Sequence, residues 1–171
     1  MACDISASRT GYVCKSSLGG HSKIYLYNQI EDPFTIVAGE ATAINAALTV
    51  VYEYEVEGDG GTLVENMPSD RNTGATVNTQ TLTVVLKKID ATSSAELNFL
   101  AYGFPGAVVK DRNGVYHALG VDDGIDFTVE SSTGGAKTDL NGFTLTGVST
   151  TGALSPKLDA ATITAFLALL P

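Results

Sequence analysis

Alternation is the strongest constraint in this chain. Across residues 48–57 the sequence Leu-Thr-Val-Val-Tyr-Glu-Tyr-Glu-Val-Glu puts Val50, Tyr52, Tyr54 and Val56 at one parity and Glu53, Glu55 and Glu57 at the other. Side chains two apart on a strand share a face, so the stretch predicts a half-buried β-strand with one apolar and one acidic side. Like charges in such a row repel, and they are tolerated where water or a partner screens them. A solvated strand face satisfies that condition, and so does a surface shaped to repel another polyanion.

The rest of the chain repeats the β pattern. Residues 23–28 have strand composition and precede a break at Pro33; residues 34–37 form a short strand, and 38–47 show no clear period. Glu57-Gly-Asp-Gly-Gly61 is a turn from which residues 62–66 start back. Met67, Pro68, Ser69, Asp70, Arg71 and Asn72 begin a polar loop, running to Gly74, that is long enough to project. Residues 76–89 give the longest strand, with Leu82, Val84 and Leu86 on one side and Thr81, Thr83 and Lys87 on the other. If that strand pairs near residues 48–57, Lys87 sits opposite one of the glutamates and partly neutralises the acidic face.

Ser93 with Glu96 three residues on is a capping-box pattern, predicting a helix over about 93–102 that Gly103 and Pro105 end. Asn113-Gly114 between two apolar runs predicts a hairpin. Residues 125–130 and 143–146 read as further strands, and Asp159 as the cap of a short C-terminal helix carrying Ile163, Phe166, Leu167 and Leu170. That helix is too apolar for water and packs on the body or on a neighbour. The expected fold is mainly β: two packed antiparallel sheets, as a β-sandwich or open barrel, with one short flanking helix and terminal arms. It is a single domain, with an N-terminal arm over 1–22, a body over 23–150 and a C-terminal extension over 151–171.

A chain of 171 residues supports one core, and 44% hydrophobic with 17% charged residues argues against disorder. A net charge of −9 argues against specific nucleic-acid binding, which needs clustered Lys and Arg. The beginning of the chain lacks a basic and apolar leader, and no apolar run approaches membrane-spanning length, so neither export nor a membrane is expected. Cys3 and Cys14 could pair if the arm folds back, although a cytosolic chain keeps them reduced.

No residues carry a recognisable reaction. His21 and His117 lie far apart in sequence without metal-ligand spacing, and His117 is expected at the surface. Asp122, Asp123 and Asp126 lack the ligand spacing of a calcium loop. The glycines at 58–61 join two strands and open no helix, so they form no phosphate cradle. No serine sits in a nucleophile elbow. The expectation is a non-enzyme without cofactor or metal.

Three segments together, Leu100-Ala-Tyr-Gly-Phe-Pro105, Val108-Val-Lys-Asp-Arg-Asn-Gly-Val-Tyr116 and Leu140-Asn-Gly-Phe-Thr-Leu-Thr-Gly147, resemble small virion structural proteins of tailed bacteriophages. The opening Met-Ala-Cys-Asp-Ile5 and Leu18-Gly-Gly20 fit the same resemblance, which is nearest to tail tube proteins. It implies a virion protein, assembled in the bacterial cytoplasm, whose copies form stacked six-fold rings around an acidic channel that DNA crosses without sticking. Glu53, Glu55 and Glu57 are then the expected channel-facing residues, and residues 67–74 the loop reaching the next ring. Two lysines, Lys87 and Lys88, run against a uniformly negative wall. Sheets of neighbouring copies could join edge to edge, removing exposed edges. A head decoration or head–tail connector protein shares the same features. A carbohydrate-binding β-sandwich would be expected to carry Trp, which is 0 here, and an export signal.

Overall fold

The computed structural model describes residues 7–9, 11 and 15–171. Cys3 and Cys14 lie outside the described residues, so their pairing is not addressed by it. The chain folds as two main sheets. Sheet A has seven strands in the order β2(Phe34–Val37), β3(Glu40–Ile44), β13(Lys157–Leu158), β10(Tyr116–Leu119), β9(Gly106–Asp111), β1(His21–Tyr27) and β4(Tyr52–Glu55). Sheet B has four, in the order β11(Asp126–Ser132), β12(Gly142–Thr151), β8(Asn78–Lys87) and β5(Gly61–Asn66). A small hairpin, β6(Ser69–Asp70) with β7(Ala75–Thr76), stands apart between β5 and β8. All pairings are antiparallel except β13 with β3, which is parallel.

Period-two alternation sorts side chains onto two cores. Ile24, Leu26, Val109 and Leu119 of sheet A meet Leu82, Val84, Phe143 and Leu145 of sheet B, together with Leu97 and Leu100 of helix α1(Ala91–Tyr102). The opposite face of sheet A is covered as well. Tyr25, Tyr27, Val108, Tyr116 and Ala118 pack there against Phe34 and against Phe166 of helix α2(Ala160–Leu167). Phe166 lies edge-on to Tyr25 at 5.7 Å between ring centroids, and Tyr27 lies edge-on to Phe34 at 6.0 Å. Tyr27 pairs with Gly106 across the sheet and lays its ring over that glycine, where no other residue would leave room.

Several local expectations shift. Residues 48–57 form a strand only at β4, because Leu48 and Val51 turn inward beneath the C-terminal segment, where the Val51 amide donates to the Leu169 carbonyl. The turn at 58–61 is no hairpin. It carries the chain from sheet A to sheet B, Gly58 taking a left-handed conformation (φ 68°) and the Gly60 carbonyl accepting from the Val85 amide. Helix α1 starts two residues before Ser93, since Asp90 is its cap and accepts from both the amide and the hydroxyl of Ser93. Asp159 caps α2 as expected, accepting from the Thr162 amide. The C-terminal segment is woven into the body: β13 lies between β3 and β10, and Phe166 is fully buried.

Candidate functional site

The glutamate row divides. Glu53 and Glu55 project from β4 on the side of sheet A away from sheet B, paired in register with Tyr25 and Lys23 of β1. The Lys23 ammonium lies between them, 2.7 Å from Glu53 and 3.0 Å from Glu55. Hydrogen bonding to Glu53 and then Glu55 raises the Lys23 pKa, and the bond from Lys23 holds Glu53 below the usual carboxylate range. Glu57 lies past the strand and faces Lys87 at 3.8 Å. Lys87 thus meets a glutamate even though β8 belongs to the other sheet. Three carboxylates share two ammonium groups, and these exposed pairs fix side-chain positions more than they add stability.

In the loop, Met67, Pro68, Ser69, Asp70, Arg71 and Asn72 are all exposed. Its tip is ordered locally: the Asp70 carboxylate accepts from the Asn72 amide, and the Asp70 carbonyl from the Gly74 amide.

Sheet B presents a surface that the sequence pattern disclosed only one strand at a time. Its register lines up Thr128, Thr146, Thr83 and Thr62 in one row across all four strands, and Asp126, Val148, Thr81 and Val64 in the next. Glu130, Thr144 and Val85 form a third row, and Thr150, Thr79 and Asn66 a fourth. These residues point away from the inter-sheet core and are exposed or half-buried. Lys87, in register with Gly142, supplies a cation at one end of this face, and Asp126 and Glu130 supply anions on its outer strand. A solvated sheet face usually carries many more charges; hydroxyl and valine side chains prevail here.

The inner face of sheet B turns polar at one end. Glu65, Gln80 and Ser149 form one row there, and Asn78 and Thr151 the next. Glu65 accepts from Asn78 (3.0 Å), Gln80 (3.3 Å), the Ser155 amide (2.7 Å) and the Ser155 hydroxyl (2.8 Å). Burial works against its charge, but the bonds from Ser155 and Asn78 prevail and its pKa is lowered. His117, expected at the surface, belongs to this cluster because its strand position faces the inter-sheet space. Its Nδ1 is 3.5 Å from the Ser155 hydroxyl and its Nε2 is 3.7 Å from Asp111. This Asp–His–Ser order is no nucleophilic triad, since Ser155 is buried and its hydroxyl donates to Glu65. His21, far away in sequence, borders the same small cavity of about 190 Å³ with Asp111 and His117. Its buried ring packs over Gly61, and burial, followed by the charge of Arg112, lowers its pKa to about 4. Among the described residues, no three His, Cys, Asp or Glu side chains are grouped to hold a metal, and no helix is long and apolar enough to cross a membrane.

The last surface lies beside β4, an edge strand of sheet A. A groove of about 360 Å³ runs between β4 and α1, lined by Leu26, Tyr52, Tyr54, Phe99, Leu100 and Phe104 among others. Tyr52, Phe99 and Phe104 stand 50%, 69% and 62% exposed, and Tyr102 beside them 85%. Helix α1 buries Leu97 and Leu100 on one side and shows aromatic rings on the other.

No protein-family model matches the chain, and neither a curated protein nor a solved structure matches it.

Proposed function

We propose that this chain is a structural subunit of a tailed-phage virion, a tail tube protein whose copies stack as six-fold rings around a channel for DNA. The observation that carries the reading is the outer face of sheet B, broad, hydroxyl-rich and short of cations. Phosphate binding depends on Lys and Arg, so a wall of threonine, valine, Asp126 and Glu130 offers DNA little to hold. Among the described residues, neither edge of sheet B has a further strand partner, so neighbouring sheets could close into a barrel. The β6–β7 hairpin leaves from between β5 and β8, suitably placed to touch the next ring.

The channel wall in this reading is the face of sheet B, in preference to Glu53, Glu55 and Glu57. Lys23 and Lys87 offset most of the charge of those glutamates. Substitution separates the two faces. Tubes of Thr83→Lys/Thr146→Lys should retain DNA, whereas tubes of Glu53→Gln/Glu55→Gln/Glu57→Gln should release it like the parent; the opposite pattern returns the wall to the glutamates.

Negative-stain electron microscopy at rising protein concentration tests the function itself. Hollow tubes or rings of uniform diameter support it. Particles that stay monomeric or trimeric at high concentration refute it and favour a decoration or connector protein.

A further inference from the structure

We infer that the aromatic groove between β4 and α1 receives the β2 edge of a second copy of this chain, so that sheet A continues from one copy into the next. The inference rests on the ring-forming reading and names its contact surface. Among the described residues, sheet A ends in two edges without a further strand partner, of opposite character. β4 carries Glu53 and Glu55, whereas β2 is Phe34, Thr35, Ile36 and Val37, with no charge and with Ile36 and Val37 46% and 58% exposed. Two β4 edges pair poorly, because each carries two glutamates against one lysine and antiparallel joining sets that excess charge against its like. An uncharged β2 edge meets no such repulsion.

The faces agree as well. Val37 is in register with Glu40, Glu40 with Lys157 and Lys157 with His117, which places Val37 on the side of sheet A that faces sheet B. Tyr54 packs against the core on that same side, where the groove opens. A β2 strand added beside β4 would therefore carry Val37 toward Phe99 and Phe104. Backbone pairing would supply affinity and the aromatic pocket would supply register, as in other strand-addition contacts. A contact between two different patches is heterologous, and repetition of it closes a ring or extends a filament.

Complementation between two defective variants tests this. Phe99→Glu spoils the groove and leaves β2 intact; Val37→Lys does the reverse. Both side chains are substantially exposed, so circular dichroism and melting should match the parent, and Phe104→Glu replaces Phe99→Glu if that variant is unstable. By light scattering, each variant alone should be monomeric where the parent assembles. An equal mixture should form dimers and nothing larger, because one intact groove meets one intact edge. If the parent assembles and either variant alone still does so, the groove assignment falls while the ring reading stands. A dimer of Phe99→Glu alone would reveal β2–β2 pairing and overturn the inference, as would a mixture that stays monomeric. A parent that never assembles overturns both.

Discussion

Replacing His21 by leucine should abolish a specific acid sensitivity. The imidazole is 2% exposed, neither ring nitrogen has a hydrogen-bond partner among the described residues, and its pKa in the fold is lowered from 6.5 to about 4. An unfolded chain takes up a proton at this side chain as pH falls through 6.5, while the folded chain does not until about 4. The unfolded state binds more protons across that window, so stability is complete above it and is lost on the way down. At about 1.4 kcal/mol per pH unit, the penalty is bounded at about 3 kcal/mol. Leucine keeps comparable volume over Gly61 and removes both the titration and the unpartnered nitrogens. Urea unfolding of parent and His21→Leu, at a concentration where both are monomeric, should show the variant at least as stable near neutral pH. Its advantage should widen by about 2–3 kcal/mol toward pH 4. His117 is present in both proteins and cancels in the difference. A difference that stays constant with pH would refute the reasoning, since it would mean that His21 charges as readily in the fold as outside it.

Phe166→Ala empties the space beside Tyr25 and Phe34 on the second face of sheet A and should cost about 3–5 kcal/mol, read by denaturant midpoint. Gly106→Ala drives a methyl group into the Tyr27 ring and should cost about 1–3 kcal/mol, a loss that Tyr27→Leu in the same chain should partly restore. Glu65→Ala leaves Asn78 and Ser155 without their acceptor and should cost about 1–3 kcal/mol near neutral pH. Because the folded pKa of Glu65 is lowered, the part due to its charge is present above the ordinary carboxylate range and disappears as acid protonates it, so the gap in stability should narrow at low pH.

The β architecture was legible because alternation is a local signal. Leu82 and Val84 against Thr81 and Thr83 announce which side of β8 is buried, and the structure follows that division. The Asn113-Gly114 turn was equally local, as the Asp111 carboxylate accepts from the amides of Asn113 and Val115. What could not be read was partnership between distant segments. A turn at 58–61 looks the same whether the chain folds back in one sheet or crosses to the other. Lys23 precedes Glu53 by 30 residues, so its place between two carboxylates follows from the β1–β4 register alone. The two histidines share a cavity because β1 and β10 both flank β9. Sheet B's threonine rows arise from four strands in register, and each strand by itself shows only an ordinary polar side.

The two ends of the inter-sheet space bear differently on assembly. At one end Phe143, Leu145, Leu82 and Val84 hold the sheets by apolar packing; at the other, Glu65 and its donors grip Ser155 in the segment leading to β13. That grip reaches the sheet edge. β13 lies between β3 and β10, so the β2–β3 pair joins the rest of sheet A through β13, aided by the packing of α2 on β3. The β2 edge, which the strand-addition proposal offers to a neighbour, is therefore held in place by the C-terminal segment, and that segment by a half-buried carboxylate. Apolar packing alone would tolerate small displacements of β13, whereas the two directed hydrogen bonds from Ser155 to Glu65 do not. Loss of the Glu65 bonds should accordingly loosen the β2 edge before it unfolds the sandwich, and assembly should be a more sensitive reporter of this polar cluster than global stability.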